Sequence, residues 1–80
     1  MVMDMYVRLS QMHEGETGIV VDIHGGPGAR QKLMGMGITP GTRIMVIKSG
    51  RPGPYIIAIG NMRLALGRGI AEKILIRRGA

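Results

Sequence analysis

The chain has 80 residues, no cysteine, 8 methionines and two aromatic side chains, Tyr6 and Tyr55. A chain of this length buries about 60–65% of its unfolded surface, so we expect a single domain over residues 1–80 with one modest aliphatic core. The lack of cysteine excludes disulfides, thiolate metal sites and cysteine nucleophiles. No run of about 18 apolar residues occurs, and residues 1–10 lack the pattern of a signal peptide, so a cytoplasmic protein is expected.

The formal net charge of +6 is unevenly distributed along the chain. Residues 1–24 hold four acidic residues against Arg8, a net charge of −3, whereas residues 25–80 hold ten basic residues against Glu72, a net charge of +9. A basic surface fits nucleic acid, an anionic membrane or an acidic protein partner. Solvated basic side chains that keep a small apolar domain soluble explain the charge equally well.

Alternating apolar residues and turn signals predict five to six short strands. In chain order these strands cover residues 6–9, 17–24, 43–49, 55–59, 62–66 and 75–77. In the second strand, Ile19, Val21 and Ile23 are expected to share one face, and Gly18 indicates a bulge or a tight bend. Gly60-Asn61 predicts a two-residue hairpin turn with glycine first.

Two short helical segments are predicted besides the main helix, a single turn at residues 10–12 and a C-terminal helix at residues 70–74. Residues 50–54 contain two prolines and are not expected inside a sheet. Short strands, one embedded helix and many glycines together predict a mainly β fold, a small closed barrel. Closure would remove the edge strands that such an apolar sheet could not safely expose.

The stretch Ala29 to Thr42 predicts where the main helix ends. Ala29, Leu33 and Met36 lie on one helical face. Gly37 is expected to stop the helix, because glycine adopts the left-handed cap conformation without a Cβ penalty. Ile38 would follow that cap, where a contact back to Leu33 would lock it.

A turn is predicted directly after the helix. Pro40 cannot continue a helix and makes Thr39 extended. Pro40-Gly41 is a suitable centre for a type II turn, with proline fixing its φ and glycine taking the positive φ. Five residues are therefore assigned to a structural motif: Leu33, Met36, Gly37, Pro40 and Gly41.

No catalytic residue, metal ligand set or cofactor is predicted. The glycine-rich loop at residues 25–28 lacks the spacing of a phosphate-binding motif. His13 and His24 lack an HxxxH or HxH spacing, which favours isolated surface histidines over a metal site. Neither Ser10 nor Ser49 lies in an elbow motif, so we do not expect an enzyme.

A protein-binding surface is predicted on the exposed side of the helix. Met34 lies about 140° round from Ala29 and cannot share the core-facing side. Arg30 and Lys32 would form a charged rim around it. The alternative is that Met34 covers a second part of the core.

Three segments together resemble the FeoA family, small cytosolic proteins of bacterial and archaeal ferrous-iron uptake. They are VRLSQMHEGETGIVVDI, RQKLMGMGITPGT and NMRLALGRGIAEKILI, over about Leu9 to Ile76. The resemblance implies an SH3-like barrel with one embedded helix and a short C-terminal helical turn. It also implies association with FeoB, the membrane transporter with a cytosolic GTPase domain, recruitment to the inner membrane face and support of Fe²⁺ import.

A similar domain follows the DNA-binding and dimerisation domains of DtxR-type iron-dependent repressors, so a metal-responsive regulatory module is an alternative function. A nucleic-acid-binding barrel is another alternative, although small barrels usually stack bases on aromatics, which are scarce here. The sequence departs from the family at Gly35 and at residues 67–70. The oligomeric state stays open, with a homo-oligomer among the alternatives.

Overall fold

The computed structural model describes residues 5–50 and 52–79, in which six antiparallel strands form one sheet. The strands are β1 (Tyr6–Arg8), β2 (Thr17–Ile23), β3 (Arg43–Ser49), β4 (Tyr55–Ile59), β5 (Met62–Leu66) and β6 (Ile74–Arg78). Their spatial order is β1-β6-β2-β3-β4-β5. Helix α1 (Pro27–Gly35) connects β2 to β3, and helix α2 (Arg68–Ala71) connects β5 to β6. The predicted mainly β fold with one embedded helix and a C-terminal helical turn is confirmed.

Several predicted boundaries are wrong by one to three residues. The turn after β1 is a 3₁₀ helix at Leu9–Gln11 instead of residues 10–12. Helix α2 begins two residues earlier than predicted, because the amide of Ala71 donates to the carbonyl of Gly67 (3.0 Å). Ile74 belongs to β6, where it is buried. The predictions for residues 1–10 and 50–54 lie partly outside the described residues.

The core is one aliphatic cluster with a single aromatic member, Tyr55. The hydroxyl of Tyr55 donates to the carbonyl of Ser10 (2.7 Å), which satisfies the polar end of a buried ring. No charged or polar residue is fully buried within the described ranges. The cluster consists of Leu9, Met12, Val20, Ile23, Leu33, Ile38, Ile44, Val46, Tyr55, Ile57, Leu66, Ala71, Ile74 and Ile76.

A bulge in β2 makes the predicted face of that strand wrong. Val20 and Ile23 are buried, whereas Val21 is 37% exposed. The pairing with β6 shifts register between Val20 and Asp22. Because a bulge adds one residue to one strand, the side chains beyond it change faces. Ile19, Val21 and Ile23 therefore do not share the buried side.

The expected irregularity at Gly18 is a close approach of two strands instead of the bulge. A Cβ at Gly18 would clash with the side chain of Ile76 and would lie 2.9 Å from the carbonyl oxygen of Arg77. Gly18 therefore lets β2 and β6 pack closely, while the bulge lies three residues further on.

The two ends of the strand order, β1 and β5, do not pair with each other within residues 5–50 and 52–79. The expectation that barrel closure removes both sheet edges is therefore wrong for these residues. The curled sheet leaves β5 with a hydrogen-bonded neighbour, β4, on one side. None of the helices in the described part of the chain is long and apolar enough to cross a bilayer.

Helix α1 ends in a Schellman motif, as the stretch from Ala29 to Thr42 predicts. Gly37 has φ +93°, and its amide donates to the carbonyl of Met34 (3.0 Å). The amide of Ile38 donates to the carbonyl of Leu33 (3.0 Å). Leu33 and Ile38 are both buried in the core cluster, so backbone and side chains fix the helix end together.

The turn after the helix is also confirmed, and it is tied to β2. Gly41 has φ +95°, and the amide of Thr42 donates to the carbonyl of Thr39 (3.0 Å), as a type II turn requires. The amide of Gly41 donates to the carbonyl of Val20 (2.7 Å), and the amide of Val20 donates to the carbonyl of Thr42 (2.8 Å). These bonds fix where β3 begins relative to β2.

Two glycines near the end of α1 are expected to respond oppositely to alanine. Gly37→Ala should lower the free energy of unfolding by about 1–2 kcal/mol, because the left-handed conformation crowds a Cβ. Gly35→Ala should raise it by about 0.5–1 kcal/mol, because Gly35 is helical and a Cβ there meets no atom within 4 Å. Urea unfolding of both variants tests the assignment, and an equal effect of the two would contradict it.

Candidate functional site

Helix α1 divides the three predicted partner-binding residues between its two flanks. Leu33 faces the core, and successive residues are turned by about 100°. Lys32 therefore lies on one flank, while Met34 and Arg30, four residues apart, lie on the other. Met34 is 44% exposed. The three residues do not form one continuous patch, although all lie on the helix surface.

Arg30 connects α1 to the end of β2. Its Nη1 donates to the carbonyl oxygen of Ile23 (2.5 Å) and to Oδ1 of Asp22 (3.2 Å). The side chain remains 41% exposed. Arg30 therefore has a role within the fold in addition to any role in binding.

A groove lies on the flank of α1 that carries Lys32. Its volume is about 240 Å³, and its lining brings together α1, the end of β5 and α2. Of the described residues in the lining, Lys32 alone is charged. The lining residues are Lys32, Leu33, Met36, Ala65, Leu66, Gly67 and Ile70. The groove is therefore an apolar cleft with a cation at its margin.

This groove was not predicted from the sequence, because its two sides are about 30 residues apart in the chain. Each side carries a sequence signal, since the helix stretch and the segment Arg63 to Leu66 are the most specific parts of the family resemblance. Their proximity is a tertiary effect. At the hairpin end, a Cβ at Gly37 would lie 3.8 Å from Cε of Met62.

Residues 7–78 match the model of the FeoA domain. The chain belongs to the FeoA family. A relative from Methanocaldococcus jannaschii, provisionally named Fe(2+) transport protein A, is 44% identical over 63 residues, covering 79% of this chain and 76% of the relative. A crystal structure of an iron uptake regulatory protein (FeoA) has 50% identity and a TM-score of 0.87, covering 92% of this chain and 99% of that one.

More distant structures confirm the SH3-like fold. FeoA from Stenotrophomonas maltophilia, described as an SH3 domain protein and complexed with zinc, has 16% identity and a TM-score of 0.77, covering 90% of this chain and 94% of that one. A manganese-dependent transcriptional repressor has 24% identity and a TM-score of 0.83, covering 90% of this chain and 41% of that one. Identities this low show the fold alone.

This FeoA chain has a second exposed apolar and basic surface on the outer face of the sheet. Met45 in β3 is 41% exposed and pairs with Ala58 in β4, which pairs with Arg63 in β5. Arg43 and Arg77 both pair with Ile19 in β2. This outer face offers an exposed methionine of nearly the same exposure as Met34, in a different part of the fold.

The histidines do not join a metal-ligand cluster in the part of the chain that the structure describes, where no three His, Cys, Asp or Glu side chains come together. The Nδ1 atom of His13 lies 3.3 Å from Oε1 of Glu16. The same carboxylate accepts a hydrogen bond from the backbone amide of His13 (2.7 Å), and this bond is the main reason that the pKa of Glu16 is lowered. Glu16 thus stabilises the turn before β2.

The pKa of Asp22 is lowered, first by the backbone amide of Ile23 (2.8 Å) and second by Arg30. Because a lowered pKa favours the folded state only while the carboxylate is charged, this stabilisation should be lost as the pH falls below the ordinary value of about 3.9. Arg30→Gln should raise the pKa of Asp22 only in part, since the Ile23 amide remains. Carboxyl NMR titration measures the shift, and a full return to the ordinary value would contradict the order of the two causes.

Proposed function

We propose that this chain is a non-enzymatic accessory protein of Fe²⁺ transport that docks on the cytosolic GTPase region of a FeoB-type transporter. Its membership of the FeoA family and its similarity to a protein named for Fe(2+) transport support the transport role. We further propose that it acts in the cytoplasm as a single domain, recruited to the inner face of the membrane by the transporter.

The observation that carries the docking proposal is the surface of α1 and the groove beside it. Protein-binding surfaces combine an apolar centre with a polar or charged rim. The groove supplies apolar surface beside Lys32, and the other flank of the helix presents the exposed Met34 beside Arg30. A partner that contacts Arg30, Lys32 and Met34 together must contact both flanks of the helix and the exposed side between them.

Docking of this kind would act on the transporter by changing the populations of its states. A bound protein shifts a conformational or nucleotide-cycle equilibrium only through unequal affinity for the states involved. The apolar lining of the groove and the cation Lys32 provide packing and charge for such discrimination between states. The proposed role therefore requires binding energy from this chain and no bond-breaking step.

The two alternative functions have weaker support. Stacking of nucleic-acid bases needs exposed aromatic rings, and Tyr55 is 1% exposed with its hydroxyl bonded to Ser10. That leaves Tyr6 as the exposed aromatic residue. A metal-responsive module related to repressors rests on the shared fold alone.

Met34→Asp is expected to weaken binding to the detergent-solubilised transporter roughly tenfold, because a carboxylate would be desolvated in the interface. The fold should be unchanged, since Met34 is 44% exposed. A binding titration measures the affinity, and circular dichroism checks the fold.

Met45→Asp is the matched control for this variant, because Met45 is 41% exposed on the outer face of the sheet. It should bind like the unmodified protein. Docking through α1 would be refuted if the Met34 variant kept its affinity for the transporter, or if both variants lost the same amount of affinity. Failure of the transporter to bind the unmodified protein would refute the partner itself.

A further inference from the structure

Strand β5 has one free edge. In the described part of the chain it pairs with β4 alone, and Ile59 and Met62 flank the two-residue turn at Gly60-Asn61. Gly60 has φ +57°, as the predicted glycine-first turn requires. The residues that flank such a turn form a hydrogen-bonded pair, and bonded pairs then alternate along the ladder.

This alternation determines which backbone groups face away from the sheet. Met62, Leu64 and Leu66 bond to β4, so the N–H and C=O groups of Arg63 and Ala65 point outward. Within residues 5–50 and 52–79, no other backbone group bonds to them. Two donors and two acceptors thus form a short, open hydrogen-bonding edge.

The open edge borders the groove beside α1. Ala65 lines that groove together with Lys32 and Met36. At the other end of β5, Met62 lies next to Gly37 at the end of the helix. The helix therefore runs beside β5, and the outward backbone groups and the apolar cleft lie at the same place.

The charges around the open edge determine which kind of segment can bind there. Lys32 lines the groove, Arg63 lies on the edge strand, and Arg68 follows the lining residue Gly67. Among the residues that the structure describes, no carboxylate lines the groove. A basic segment would be repelled, whereas a segment with carboxylates next to apolar side chains would match both the charge and the cleft.

We propose that β5 accepts an extended acidic and apolar segment of the partner protein as an additional β-strand. This inference rests on the proposed docking function and specifies the partner chemistry. An extended segment fits because its backbone groups are free to bond to Arg63 and Ala65, whereas those of a helix are already bonded internally. Alternate apolar side chains of the segment enter the groove, and its carboxylates meet Lys32.

Hydrogen–deuterium exchange tests the added strand directly. The probe is the detergent-solubilised FeoB-type transporter, with exchange read by mass spectrometry with electron-transfer fragmentation. In the free protein, the amides of Arg63 and Ala65 should exchange fast, and those of Met62, Leu64 and Leu66 should exchange slowly. Binding should protect Arg63 and Ala65, because each then donates to the new strand.

A pair of substitutions at Ala65 separates the backbone bond from the side chain. Ala65→Pro removes the outward N–H without removing a bond to β4, and edge strands tolerate proline there. It should weaken transporter binding roughly tenfold through loss of one of the edge hydrogen bonds. Ala65→Val keeps the N–H and changes only the side chain in the groove, so it should weaken binding less than Ala65→Pro, and the amides of Arg63 and residue 65 should still be protected on binding.

The exchange experiment distinguishes failure of this inference from failure of the docking function. Transporter binding without protection of Arg63 and Ala65 overturns strand addition and leaves docking intact. Absence of any binding overturns both. If the same amides become protected in concentrated protein without transporter, the open edge binds a second copy of the chain. That result would also overturn the proposal that an acidic segment of the partner binds there.

Discussion

The chain reversal from Gly37 to Thr42 is the constraint on which the rest of the structure depends. The helix end is fixed by bonds to Leu33 and Met34, and the turn is fixed by bonds to Val20 in β2. The hydroxyl of Thr42 also donates to the carbonyl of Gly37 (3.2 Å), which joins the helix end to the turn. These bonds orient α1 relative to the sheet and set the register in which β3 begins.

The position of α1 creates the candidate site. Because the helix lies beside β5, its Lys32 flank and the end of β5 enclose the apolar groove, while Met34 remains exposed on the other flank. The site therefore combines a rigid helix, fixed at its end by the Schellman motif, with a strand edge that the sheet leaves open. A rigid apolar cleft beside open backbone groups is suited to binding an extended segment.

The helix end was predicted correctly from the sequence, whereas the buried face of β2 was not. Gly37 and Gly41 have the predicted positive φ, because local backbone sterics determine their conformation. The buried face of β2 was predicted wrongly, because the bulge at Val21 arises from pairing with β6, a strand more than 50 residues away. Nothing in the sequence indicated that Arg30, which was assigned to the charged rim, donates to Asp22 and Ile23.

The sequence by itself determined the mainly β fold, the helix end, the type II turn, the glycine-first hairpin and the family resemblance. Each of these depends on short-range sterics or on a pattern within one segment. Tertiary structure alone decided which flank of α1 meets β5, which strands remain at the sheet edges and where Arg30 donates its hydrogen bonds. Those features depend on contacts between residues far apart in the chain, and such contacts leave no periodic signal in the sequence.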